Sequence, residues 1–207
     1  MILAAALAGC GKKQAPQPAT KVPATPKTKP KEETKNPEPP KADDKIIIAN
    51  PIIEKTIRKN INKPGGELTS TDCQKLTRLS LNSNKLSDVK GLENLGQLTK
   101  LYLYGNQLTD VSGLEKLDQL RWLELGGNQL TGIPKGLKKL TQVKVLWLYD
   151  NQLTDLKGLE KLDQLTELSL NNNNLSNVKG LEKLDQLKGL ILSNNKLTDL
   201  KGLEKLD

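Results

Sequence analysis

Acid–base and nucleophilic chemistry near neutral pH draws most often on histidine, on an activated cysteine or on carboxylates held as a pair. The 207-residue chain has no histidine and only two cysteines, Cys10 and Cys73. Triads and metal sites that need an imidazole are therefore excluded. Carboxylates do recur, as Glu115, Glu160, Glu182 and Glu204, but each stands in a Gly-Leu-Glu-Lys-Leu-Asp run beside lysine and aspartate. That setting predicts a solvated outer face, not a catalytic pair. Asparagine recurs at one place in every copy of a longer pattern, at Asn84, Asn106, Asn128, Asn151, Asn173 and Asn195. A repeated amide is suited to satisfying backbone groups where the chain leaves a strand. No nucleophile–base pair, glycine-rich phosphate loop or metal-ligand cluster is present, so the expectation is a protein that is not an enzyme and needs no cofactor or metal.

The residues left with chemistry to offer are those that recognise. All five aromatic side chains, Tyr102, Tyr104, Trp122, Trp147 and Tyr149, fall within 48 residues of one another and are interleaved with Lys100, Arg121, Glu124, Lys144 and Asp150. Trp, Tyr and Arg set among mixed charges is the composition of a binding hot spot. Aromatic residues also favour strands for packing reasons alone. That preference accounts for some of the positions, but not for their confinement to one stretch of the chain.

These residues are placed by a repeat. From Leu76 the pattern LxxLxLxxNxLxxxxGLxxLxx runs six times, starting at Leu76, Leu98, Leu120, Val143, Leu165 and Leu187, with a period of 22 and one step of 23. Alternate residues of the LxL centre point to opposite faces of a short strand, so Leu79 and Leu81 and their equivalents turn inward. A single repeat cannot bury its leucines alone, and the array is stable only as a stack. The pattern closely resembles the leucine-rich-repeat family over residues 76–207. The resemblance implies an α/β repeat fold, a curved solenoid with a parallel sheet on its concave face. The variable places around the inward leucines, repeat positions 2, 3, 5, 7 and 8, then line that face. All five aromatics occupy such places, and only on repeats 2 to 4. Repeats 5 and 6 offer Ser169, Asn171, Asn172, Gly189 and Ser193 there and look bland. The third repeat carries the extra residue within Gly132-Ile133-Pro134-Lys135-Gly136, similar to the Ile-Pro form of longer leucine-rich repeats.

Ahead of the repeats, residues 46–75 read as a cap, which a solenoid needs to cover its first apolar cross-section. Asn50-Pro51 starts a helix, Ile53, Ile57 and Ile61 form one apolar stripe, and Asn62 to Gly66 stops it. Thr69 and Asp72 have capping-box spacing. The stretches Asn50-Pro51-Ile52-Ile53-Glu54 and Gly66-Glu67-Leu68-Thr69 resemble the N-terminal cap of bacterial internalin-like proteins. Cys73 is expected to be a small buried core residue.

Residues 1–9, MILAAALAG, form an apolar run about half the length of a bilayer span. That predicts the core of a secretory signal. Leu7-Ala8-Gly9-Cys10 closely resembles the bacterial lipoprotein signal, which implies cleavage before Cys10 and lipidation of its thiol. No basic residue precedes Ile2, which points to a start further upstream. Residues 10–45 are then a lipidated cysteine and a tether. Positions 11–45 hold eight of the eleven prolines and nine lysines, with no apolar periodicity, which predicts disorder. The implied location is the bacterial cell envelope, with Gly11 after the cysteine permitting the outer membrane if the cell is Gram-negative. The pattern stops inside a repeat at Lys201–Asp207, without a polar cap, so either this end meets a partner or, the favoured reading, the natural protein continues.

The net charge of +8 is diffuse, with +4 in residues 11–45, and no clustered basic motif points to nucleic acid. The reading is a monomeric, membrane-anchored module that presents a concave aromatic patch to a protein partner. A glycan-binding surface is the first alternative, with Trp and Tyr stacking on sugar rings. A cytoplasmic scaffold resembling phosphatase-regulating leucine-rich repeats is the second.

Overall fold

A computed structural model describes residues 44–203. The expected signal peptide, Cys10 with its lipid, nearly all of the tether and Glu204 lie outside the described residues.

The cap is built as its local signals dictate. Helix α1 spans Pro51–Asn60, and the Asn50 side chain accepts hydrogen bonds from the N–H groups of Ile52 and Ile53. Proline at the first helical position has no N–H to leave unsatisfied. Arg58 and Lys59 occupy the last turn, where the helix dipole favours cations. Ile53 and Ile57 are fully buried and join the repeat core, and Ile61 is packed partly against it. Helix α2, Ser70–Gln74, opens with a capping box between Thr69 and Asp72. Asp72 also receives Lys63 Nζ at 2.5 Å and Lys75 Nζ at 3.1 Å. These partners, Lys63 foremost, hold its carboxyl well below the usual range against the opposing effect of burial. Cys73 is buried, and burial pushes its thiol up. A two-residue strand β1, Lys45–Ile46, pairs antiparallel with β2, Leu68–Thr69. That pairing was invisible to periodicity, because two residues on each side are too few to show an alternation.

The repeats form one parallel sheet in sequence order: β3 Arg78–Ser80, β4 Lys100–Tyr102, β5 Trp122–Glu124, β6 Val145–Trp147, β7 Glu167–Ser169 and β8 Gly189–Ile191. Leu79, Leu101, Leu123, Leu146, Leu168 and Leu190 stand in register along its centre. In repeat 2, Leu98, Leu101, Leu103, Leu108, Val111, Leu114 and Leu117 are all completely buried. Each such side chain contributes about 1.5–3 kcal/mol by leaving water. The chain returns through short 3₁₀ turns, Leu92–Asn94, Leu114–Lys116, Gly136–Lys139 and Leu159–Lys161. The result is the curved leucine-rich-repeat solenoid expected from the sequence, with a helical N-terminal cap.

Two repeated polar residues complete the stack. Asn106 Oδ1 accepts from the N–H groups of Asn84 and Leu86 in the preceding repeat. Its Nδ2 donates to the carbonyls of Leu81 and Leu103. Asn128, Asn151, Asn173 and Asn195 repeat the bonds to the leucine N–H and to the leucine carbonyls. The glutamates of the outer side also have a structural part: Glu182 is exposed and Glu115 and Glu160 are half-buried, and each accepts a backbone hydrogen bond. The N–H groups of Gly113, Gly158 and Gly180 donate to Glu115, Glu160 and Glu182 at 2.6, 2.5 and 2.7 Å. Those glycines sit at φ of 107°, 115° and 105°, a region that favours glycine, so Gly-Leu-Glu closes each return turn on itself. For Glu115 and Glu160 these bonds, to their own N–H and to the glycine's, hold the carboxyl below its ordinary value. The longer third repeat has Lys138 where the others have this glutamate, and its turn starts one residue earlier, at Gly136. The extra residue is absorbed there, with Ile133 and Pro134 buried, and Trp122 still pairs with Val145 in the sheet.

Candidate binding face

The strands turn alternate side chains away from the leucine core, and on repeats 2 to 4 these are the aromatics. They form one connected row. Tyr102 and Trp122 have ring centroids 6.3 Å apart, and Trp122 meets Trp147 edge-on at 4.9 Å. Trp147 lies 6.3 Å from Tyr149, and Tyr149 lies 5.8 Å from Tyr104. The row is extended by cations: the Arg78 guanidinium lies 4.8 Å from the Tyr102 centroid, and Lys100 Nζ lies 5.7 Å from that of Trp122. Contacts of this kind attract a cation to the ring face.

Tyr104 and Tyr149 belong to repeats two apart, and they meet because repeat 3 has Gly126 and Gly127 between them. A Cβ at Gly126 would fall 2.5–2.8 Å from the Tyr149 ring, and one at Gly127 would fall 3.0 Å from Tyr104. The Tyr149 hydroxyl donates to Glu124 Oε1 at 2.7 Å, and Glu124 is only 8% exposed. Burial, reinforced by this carboxylate, pushes the Tyr149 hydroxyl up, so it remains a donor. Trp122 Nε1 is buried with no hydrogen-bond partner among the described residues.

The structure thus brings Tyr102, Tyr104, Trp122, Trp147 and Tyr149 together, with Lys100 beside them. Glu124 lies beneath the row and is engaged by Tyr149. Asp150 is exposed, and its Oδ1 accepts from Asn172 Nδ2 at 2.5 Å. Arg121 is half-buried, with Nη1 near the carbonyls of Asp118 and Leu120 at 3.5 and 3.4 Å. Lys144 is exposed just ahead of β6.

Beyond the row lies a groove that sequence reasoning missed. It measures about 600 Å³ and is lined by Trp147, Tyr149, Glu167, Ser169, Gly189 and Ile191, among others. Ile191 is 54% exposed. The available signal was the small pair Ser169 and Gly189 between two large residues, Trp147 and Ile191. Small residues on a strand read as bland one at a time, and as a floor only when their neighbours across the sheet are known.

The profile of the family described as leucine rich repeats in two copies matches residues 74–116, 118–161 and 163–205. The chain belongs to the leucine-rich-repeat family. Among solved structures, this leucine-rich-repeat protein is similar to internalin C2 of Listeria monocytogenes, at 30% identity over 77% of this chain and 71% of that one, with a TM-score of 0.74. It is also similar to internalin F of the same organism, at 29% identity and a TM-score of 0.71 over 76% of this chain, and it spans 47% of that chain's length. No curated protein sequence matches it significantly. Leucine-rich-repeat proteins of the internalin type act in protein–protein interaction, and their fold is typically a non-enzymatic binding scaffold.

Proposed function

We propose that the protein is a membrane-anchored module that presents the aromatic row of its concave face to a protein partner. The observation that carries this reading is the row itself: five rings in tilted and edge-on contact on adjacent repeats, on the face turned away from the core, ending beside an open groove. Tyr104 is 38% exposed and the other four rings are half-buried. Clusters of this composition in a preformed surface are where binding energy concentrates. The anchoring half of the proposal rests on the lipoprotein-like Leu7-Ala8-Gly9-Cys10, with the proline-rich tether lifting the binding face off the membrane. A glycan ligand has less support, because the two carboxylates that would accept sugar hydroxyls, Glu124 and Asp150, already accept from Tyr149 and Asn172.

The test offers surface-protein extract and a glycan panel to the purified protein and to a Trp122→Ala, Trp147→Ala variant. A protein held by the first and lost by the second is expected, with each tryptophan contributing about 2 kcal/mol to binding. Equal capture by both, or a captured glycan, would overturn the reading. For the anchor, Cys10→Ala is expected to move the protein from the membrane to the soluble fraction. Unaltered membrane association would remove that half of the proposal.

A further inference from the structure

The aromatic row is bordered by the edge at which the chain enters each strand, and the charges on that border are not evenly mixed. Over repeats 1 to 4 it carries Arg78, Lys100, Arg121 and Lys144 against Asp118 alone, once Lys75 is set aside with its partner Asp72. Over repeats 5 and 6 the balance reverses, with Asp163, Glu167 and Asp185 against Lys188. Arg78 and Lys100 stand directly opposite each other in the β3–β4 register. Like charges at such a position repel each other across the sheet. Nor are these cations neutralised within the protein. Among the described residues the ion pairs are Lys45–Glu67, Arg58–Glu54, Lys63–Asp72 and Lys75–Asp72, all in the cap. Arg78 and Lys100 lie against aromatic faces instead, and Arg121 points to backbone carbonyls.

Building on the protein-binding reading above, we infer that the partner presents an acidic, extended segment, whose carboxylates lie along the Arg78–Lys144 border and whose apolar anchor enters the groove between Tyr149 and Ile191. The dimensions agree. Three strand spacings separate the repeats of Arg78 and Lys144, about 14 Å. An extended chain crosses that distance in four or five residues, at about 3.3 Å each. The groove opens one to two strands further along, room for one large apolar side chain a few residues past the acidic run. The carboxylates of repeats 5 and 6 would repel an acidic run laid there, so charge also sets which end of the segment lies over the cap. Fixing register and excluding wrong partners is what complementary charge does at an interface.

The experiment uses the full chain and its own reporters, since Trp122 and Trp147 are the only two tryptophans and both lie in the row. Their emission is followed while a synthetic peptide is added, with a run of glutamates followed by leucine. A lysine-for-glutamate peptide and a heparin oligosaccharide serve as comparators. The glutamate peptide is expected to bind, about tenfold more weakly at high salt than at low salt, and the lysine peptide is not. A Lys100→Glu, Arg121→Glu, Lys144→Glu variant, with its fold checked by melting, is expected to lose about 30-fold or more for the glutamate peptide and to accept the lysine one. Equal binding of both peptides, indifference to the triple substitution, or heparin bound as tightly as the peptide would overturn the inference. So would a concentration-dependent dimer that the triple variant abolishes, because the border would then belong to a second copy of the chain. The two proposals fail separately. Capture lost in the tryptophan variant but kept in the charge variant refutes only the acidic segment, and capture kept in both refutes the binding face as well.

Discussion

Replacing Asn128 by alanine removes one amide from the middle of the stack, and its cost follows from the bonds the amide makes. Its Oδ1 accepts from Leu108 N–H at 3.0 Å. Its Nδ2 donates to the carbonyls of Leu103, Leu125 and Gly126 at 3.0, 3.0 and 3.1 Å. Each carbonyl keeps another donor after the substitution: Asn106 Nδ2 for Leu103, Asn151 Nδ2 for Leu125 and Gly105 N–H for Gly126. Only Leu108 N–H loses its sole partner, in a buried place. An orphaned buried donor costs about 1–3 kcal/mol, and the weakened carbonyl side adds about 1 kcal/mol. The sum is about 3 kcal/mol, or roughly 6–12 °C in Tm for a domain of this size. Asn84 is the control. Its oxygen accepts nothing among the described residues, and its amide reaches only Asn82 O at 2.9 Å, because no upstream repeat lies beneath it. Asn84→Ala should therefore cost under about 1 kcal/mol. Urea unfolding of both variants checks this, with a lowered midpoint at unchanged slope for Asn128→Ala. Equal losses at the two sites would refute the reasoning, since the amide would then matter for something other than the buried donor it serves.

Gly126→Ala should cost about 1–3 kcal/mol by driving Tyr149 off Glu124, and almost nothing in a Tyr149→Ala background; additive losses in urea unfolding would show that the ring does not need the space. Asp72 titrates below its unfolded value, so its contribution is complete above about pH 5 and is lost as pH falls through the acid range. Asp72→Asn should thus melt about 2–4 °C below wild type at pH 7, with the gap narrowing steadily as pH falls below about 4; a gap of constant size down to pH 2 would contradict the pairing with Lys63 and Lys75. Trp122→Phe removes a buried N–H that has no partner among the described residues, so stability should change by less than about 1 kcal/mol in either direction. A Tm falling by more than about 4 °C would mean the indole N–H is bonded in solution.

Much of the solenoid was legible because leucine at fixed spacing encodes burial one residue at a time, and each inward position can be assigned without knowing its neighbours. The positions of the aromatics were legible for the same reason, since each belongs to a numbered place in its repeat. What escaped were properties of pairs. The Tyr104–Tyr149 contact depends on two glycines in the repeat between them, and a glycine announces a missing side chain without saying which neighbour fills the gap. Glu124 stands in the sequence among the charges of the patch, and nothing there shows that the Tyr149 hydroxyl reaches back one repeat to bond it. Glu115, Glu160 and Glu182 read as a charged outer face, but their charge pattern says nothing of the positive φ of the preceding glycines, which turns an N–H toward each. The groove needed three strands side by side before Ser169 and Gly189 became its floor.

The asparagine amides also run in one direction. Leu86, Leu108, Leu130, Leu153 and Leu175 each give their N–H to an asparagine of the following repeat, never of their own. During synthesis a repeat therefore leaves the ribosome unfinished, and is latched only when the next 22 or 23 residues have emerged. At about 5–20 residues per second that is a delay on the order of 1–5 s. Through that interval the newest turn lacks this latch, and it is the part of the nascent chain most open to a protease or a chaperone.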